Sequence, residues 1–149
     1  MNVDAVDEVG EVGEVGDDEL RVIVQKLSRR IRNNRAGGDT SDSQLGVLFH
    51  LETHGEQTPG RLAELEHVTP PSINRTLNGL EAAGLVRRLP SPDDARKVFV
   101  SLTPAGLDLL RETRRLRTQW FSERLSELTP DERRILAAAA PLLRRLAES

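Results

Sequence analysis

Four Thr-Pro pairs punctuate this chain, at Thr58-Pro59, Thr69-Pro70, Thr103-Pro104 and Thr129-Pro130. A threonine hydroxyl accepts from a backbone N–H a few residues on, and proline fits the first helical position, where its missing N–H costs nothing. Each pair therefore predicts a helix start, near 59, 70, 104 and 130. Thr129 is followed three residues later by Glu132, which completes a capping box. The helix from Pro59 to about Glu66 has only His67-Val68-Thr69 before the next, and two helices joined so tightly form a helix-turn-helix.

The helix that opens at Pro70 has two unlike faces. Ile73, Leu77 and Leu80 recur at i, i+4 and i+7 and face a core. Pro71, Ser72, Asn74, Arg75 and Asn78 fall on the far side and its flanks, while Thr76 sits nearer the buried side. Arginine and asparagine carry the forked donors and acceptors that fit guanine and adenine edges in a major groove. Gly84 stops the helix by taking the left-handed conformation without penalty. Two β-rich runs follow, Leu85–Leu89 and Val98–Leu102, separated by the turn residues Pro90-Ser91-Pro92-Asp93-Asp94, and they predict a hairpin with Arg96 and Lys97 near its tip. Helix-turn-helix plus hairpin makes a winged helix-turn-helix, mainly α with a small β-hairpin wing.

Ahead of this unit, Asp17 to about Ala36 reads as a helix. Its acids Asp17, Asp18 and Glu19 suit the N-terminal dipole, Leu20, Ile23, Val24, Leu27 and Ile31 form a stripe, and Gly37-Gly38 stops it. A second helix starts after Thr40 or Ser41, with Leu45, Leu48 and Leu51 inward, and ends near Gly55. After the hairpin come a long helix from Pro104 to about Glu127 and a last one towards Glu148, in which Pro141 predicts a kink. A small winged domain needs neither. Their leucine-rich faces, with that of the first helix, predict a subunit interface built from Leu20, Ile23, Leu27, Trp120, Phe121, Leu136, Leu142, Leu143 and Leu146. The expected organisation is an acidic disordered tail over 1–16 and one domain over 17–149. In that domain 17–36 and 104–149 serve dimerisation and 41–102 the winged part.

Charge adds a condition. The net charge of −3 comes from 21 basic and 24 acidic side chains, but residues 1 to 19 hold eight of the acids and no base. Setting that segment aside leaves a body of +5, which permits nucleic-acid binding without demonstrating it. Glycine at every third position of the Glu-Val-Gly repeat over 8–16 opposes a helix. There is no cysteine, so disulfides, thiolate metal sites and cysteine nucleophiles are excluded. With no apolar run near the roughly 20 residues of a membrane span and no secretory pattern, the expectation is a cytoplasmic protein without a membrane role.

The run from Leu62 to Gly106 resembles the core of the MarR family of bacterial transcription regulators. The resemblance rests on Leu80-Glu81-Ala82-Ala83-Gly84-Leu85-Val86-Arg87-Arg88, on Asp94-Ala95-Arg96 in the wing, and on Leu102-Thr103-Pro104-Ala105-Gly106. It covers roughly 20 to 149; the acidic tail lies outside the family pattern. It implies an obligate homodimer with intertwined first, fifth and sixth helices, recognition helices in successive major grooves, and wings reaching toward the minor groove. Such a dimer holds its helices ~34 Å apart and reads a near-palindromic double-stranded operator. The resemblance carries Arg96 over as the wing-tip minor-groove residue, with Asp94 fixing its guanidinium, and implies a repressor relieved by a small aromatic or phenolic molecule. Arg88 and Lys97 complete the expected wing contacts, beside Pro71, Ser72, Asn74, Arg75 and Asn78 on the helix.

Blander readings compete at several positions. Arg87 and Arg88 point to opposite faces of a strand, so one meets phosphate while the other pairs internally, and spacing does not say which. His50 and His54, four apart, share a helix face but lack further ligands, so a polar face is favoured over a metal and no cofactor is expected. Asp93-Asp94 beside Arg96 reads as a turn with a salt bridge rather than an acid–base pair. Trp120 and Phe121 read as packing rather than stacking on a ligand. No Gly-rich phosphate loop or Ser-His-Asp arrangement supports an enzyme. The rival from another class is a winged helix used as a protein-interaction module without operator binding.

Overall fold

The computed structural model describes residues 13–149 and contains six helices and one hairpin in the order α1 (Asp17–Asn33), α2 (Asp42–His54), α3 (Pro59–Glu66), α4 (Pro70–Ala82), β1 (Val86–Pro90), β2 (Val98–Leu102), α5 (Pro104–Ser126) and α6 (Pro130–Ala147). The tail expected over 1–16 falls, through residue 12, outside the described residues. All four Thr-Pro pairs open a helix. Thr58, Thr69, Thr103 and Thr129 accept from the backbone N–H of Arg61, Ser72, Gly106 and Glu132. Glu132 closes the capping box on the Thr129 N–H at 2.8 Å. Ser41 and Gln44 form a second capping box at the start of α2.

One core joins the winged elements. Leu45, Val47, Leu48 and Leu51 of α2 meet Leu62 and Ala63 of α3, Ile73, Leu77 and Leu80 of α4, Val86 and Val100 of the hairpin, and Leu110 of α5. Each large side chain buried this way stabilises the fold by roughly 1.5–3 kcal/mol. The i, i+4, i+7 spacing of Ile73, Leu77 and Leu80 thus seats α4 inward and turns its polar face out. At its end Gly84, at φ 73°, and Leu85 return hydrogen bonds to the carbonyls of Glu81 and Leu80, the paired bonds of a Schellman stop. The antiparallel hairpin pairs Val86 with Leu102 and Arg88 with Val100. Gln57, between α2 and α3, exchanges two backbone bonds with Val100, adding a one-residue third strand that no local pattern announces.

The first helix is shorter than expected. It ends at Asn33 because Asn34 leaves the helix and its side chain donates to the Arg30 carbonyl at 2.7 Å. Ala36 then donates its N–H to the buried Thr113 hydroxyl of α5. The break therefore precedes Gly37-Gly38. α6 continues as helix through Pro141.

Neither α1 nor α6 buries a single residue. Leu20, Ile23, Val24 and Leu27 stand exposed on α1, and Ile135, Leu136, Leu142, Leu143 and Leu146 on α6, with Leu146 at 67 %. Trp120 and Phe121 of α5 are half-buried, and Arg124 lies over the Trp120 ring at 5.4 Å. No helix among the described residues is long and apolar enough to cross a membrane.

Candidate nucleic-acid interface

The turn into α4 is set by His67, whose left-handed backbone (φ 54°) closes α3 without a glycine. Thr69 and Pro70 then restart the helix within two residues. On the outward face Pro71, Asn74, Arg75 and Asn78 are exposed, and Ser72 and Thr76 are half-buried. The Thr76 hydroxyl bonds back to the Ser72 carbonyl at 3.3 Å. Arg75 makes no side-chain bond among the described residues.

The hairpin leans on this helix through one arginine. Arg88 Nη1 donates to Asn78 Oδ1 at 2.7 Å and to Glu81 Oε2 at 3.3 Å, and Nη2 reaches the Asn74 carbonyl at 3.4 Å. Arg88 is therefore the inward member of the pair and Arg87 the exposed one. That choice depends on how the hairpin docks, which strand alternation alone leaves open. Glu81, absent from the expected site, is part of this cluster.

At the wing, the Lys97 backbone N–H donates to the Asp94 carbonyl at 2.9 Å and the Ser91 backbone N–H to the Lys97 carbonyl at 2.7 Å, closing the loop. Asp94 Oδ1 accepts from both the backbone N–H (3.0 Å) and Nε (3.2 Å) of Arg96. The Arg96 side chain nonetheless stays 92 % exposed, a positive charge held out on a braced loop. Lys97 is exposed beside it. The geometry of Asp93 and Asp94 is that of a turn and an ion pair.

A second basic cluster lies where α2 and α5 meet. The guanidinium groups of Arg114 and Arg117 both lie over the Phe49 ring, 5.4 and 5.6 Å from its centre. Arg114 is paired to Glu52, and this hydrogen bond holds the Glu52 carboxyl below its ordinary range against the opposing effect of burial. Burial pushes the Arg117 guanidinium down from its usual value, and the charges of Arg32 and Arg35 add to that while Asp42 opposes it. Arg117 Nη2 reaches the Arg32 carbonyl at 3.4 Å, but its buried Nε has no partner among the described residues. Nearby, Arg30, Asn33, Asn34, Trp120 and Arg124 line a shallow cavity of about 250 Å³. Sequence spacing held no signal for this cluster, because its members are brought together only by tertiary contact.

His50 and His54 stack with ring centres 5.9 Å apart, and His50 Nε2 lies 2.9 Å from Glu66 Oε1. The described residues contain no group of three metal-ligating side chains.

Comparison with known proteins follows the same outline. Residues 40–98, from the end of the first loop to the first residue of β2, match the profile described as the MarR family. An HTH-type transcriptional regulator of Mycobacterium tuberculosis is 41 % identical over 130 residues, covering 87 % of this chain and 91 % of the relative. The multiple antibiotic resistance protein MarR of Salmonella typhimurium is 31 % identical over 112 residues, covering 74 % and 78 %. Among solved structures, a transcriptional regulator of Pseudomonas aeruginosa superposes with a TM-score of 0.78 at 35 % identity, covering 89 % of this chain and 94 % of that one.

Proposed function

This chain belongs to the MarR family of winged-helix transcriptional regulators, and on that premise we propose that it acts as a homodimer that binds a near-palindromic double-stranded operator and represses transcription. One observation carries the reading. The polar face of α4, with Asn74, Arg75 and Asn78, is kept out of the core while the hairpin clamped to it holds Arg96 exposed at its tip. Members of the family are DNA-binding regulators rather than enzymes, and a protein-interaction module would have no use for this pairing of forked side chains and a wing arginine.

The dimer reading is supported by the unburied leucine faces of α1 and α6. Seating each recognition helix in a major groove requires a mate that spaces them one turn apart. Release by a small aromatic or phenolic molecule is supported by the junction between α2 and α5, where two arginines lie over Phe49 and a buried guanidinium N–H lacks a partner among the described residues. Such a ligand acts only by binding the DNA-incompetent form more tightly.

The deciding experiment is selection of binding sites from a random duplex pool, followed by affinity against salt. A recovered palindrome with half-sites about one turn apart, and affinity falling steeply with salt, is the expected result. Recovery of no preferred sequence would return the chain to the interaction-module reading.

A further inference from the structure

The two asparagines of α4 are held in opposite senses. Asn74 turns its amide nitrogen back along the helix and donates to the Pro70 carbonyl at 3.0 Å, so its oxygen is left without a partner among the described residues. Asn78 turns its amide oxygen toward the hairpin and accepts from Arg88 Nη1 at 2.7 Å, so its nitrogen is the atom without a partner among the described residues. Reading adenine with two prongs requires both atoms of one amide. One amide hydrogen of Asn74 and one oxygen lone pair of Asn78 are already committed within the chain.

We propose that Arg88 is a specificity-positioning residue: by holding the Asn78 oxygen it presents Asn78 as a hydrogen-bond donor to a base acceptor, while Asn74 presents an acceptor to a base amino group. This rests on the DNA-binding reading above. The bond from Arg88 is charge-assisted, and its side chain is only 22 % exposed, so rotating the Asn78 amide would strip a partly dehydrated guanidinium of its shortest contact. Glu81 at 3.3 Å and the Asn74 carbonyl at 3.4 Å hold the same guanidinium from two other directions. Its charge also polarises the amide outward and strengthens the Asn78 N–H as a donor. The acceptors that suit it are guanine N7 and O6, adenine N7 or thymine O4; the amino groups that suit Asn74 are adenine N6 and cytosine N4. Four residues apart on one helix, the two side chains are neighbours and address neighbouring base pairs.

Arg88 also staples β1 to α4, and a purely structural staple makes a different prediction. Binding-site selection is run with the full-length wild type, Asn78→Asp, Arg88→Ala and Arg88→Lys, each checked for its unfolding midpoint. Aspartate has the shape of asparagine, keeps the bond to Arg88 and loses the donor. Asn78→Asp is expected to lose the acceptor-bearing base at one position per half-site, by about tenfold in relative affinity, with the other positions kept. Arg88→Ala is expected to broaden that same position while the base facing Asn74 is unchanged, and Arg88→Lys to restore part of the preference. Uniform weakening across all positions in Arg88→Ala, or an unchanged preference in Asn78→Asp, overturns the proposal. A wild type that selects no site overturns the DNA-binding reading, and this inference with it.

Discussion

Gly106 of α5 presses its bare Cα against the carbonyl of Leu85 so closely that a Cβ there would overlap the carbonyl oxygen and meet Leu102 Cδ2 at 3.1 Å. Around this contact the Thr103 hydroxyl donates to the Gly84 carbonyl at 2.7 Å and accepts the Gly106 N–H at 3.1 Å, while the Thr103 N–H donates to the Leu85 carbonyl. The stop of the recognition helix, the end of the hairpin and the start of α5 are thus locked at one point. This gives the Leu-Thr-x-x-Gly run a physical reason.

Gly106→Ala should therefore destabilise the protein by about 1–3 kcal/mol, since the obstacle is backbone and cannot swing aside. Gly60→Ala is the control: it also lies in a helix, but nothing lies within 4 Å of an added Cβ. That change should be neutral or slightly stabilising. Urea unfolding of both variants checks the contrast, and equal midpoints would show that α5 shifts without cost.

The Glu52–Arg114 pair predicts an acid-sensitive joint between α2 and α5. Arg114 lowers the Glu52 carboxyl below its ordinary value, so the folded state binds the proton less readily than the unfolded chain. The stabilisation is then complete above the ordinary glutamate value and is lost as pH falls through the lowered one. Glu52→Gln should be the less stable protein at pH 7, with the gap to wild type closing toward pH 3. Glu112, lowered in the same direction by Arg115, is common to both and cancels. Parallel stability curves from pH 7 to 3 would remove Glu52 from the acid response.

Capping chemistry made much of this fold legible. Thr58, Thr69, Thr103 and Thr129 each act within four residues of themselves, so their effect is visible in a local pattern, as is the left-handed stop at Gly84. What stayed hidden depends on docking. The bridge from Gln57 to Val100 joins residues 43 apart in the chain by a single pair of backbone bonds. Whether Arg87 or Arg88 turned inward depended on which face of β1 meets α4. α1 ends sooner than its double glycine alone predicts, because Asn34 and the docking of Ala36 on Thr113 break the helix first.

Arg75 is the forked side chain of α4 that no intramolecular bond restrains among the described residues, so its removal should leave the fold intact. Arg75→Ala should lose ~1–3 kcal/mol against the preferred site and much less against random duplex, relaxing the choice of base. Competition binding with single-base operator variants measures this. An equal loss on every sequence would assign Arg75 to phosphate instead.

At the wing, the charge and its brace should separate. Arg96→Ala should weaken binding most on A·T-rich flanks, where a narrow minor groove concentrates negative potential, and should lower the salt slope by about one per wing. Asp94→Ala keeps the charge but frees the Arg96 N–H and Nε from their common acceptor. It should cost affinity without lowering that slope. Equal loss from Arg96→Ala on G·C-rich flanks would contradict minor-groove insertion.

The leucine faces make the last prediction, and engagement of both half-sites depends on it. Leu136 and Leu143 are seven residues apart on α6, two turns along one stripe, and Leu20 and Leu27 repeat that spacing on α1. In a two-fold assembly each buried leucine appears twice, at roughly 1.5–3 kcal/mol apiece, and a carboxylate in its place is left dehydrated and unpaired. Leu143→Glu should therefore convert a dimer to monomers at micromolar concentration, as read by light scattering. The monomer should keep its winged core, since α6 buries nothing in its own chain, yet bind the full operator far more weakly than the dimer. A single recognition helix forfeits the second half-site, which a dimer engages at high effective concentration. A wild type that scatters as a monomer, or a Leu143→Glu variant that still scatters as a dimer, would place the subunit contact elsewhere.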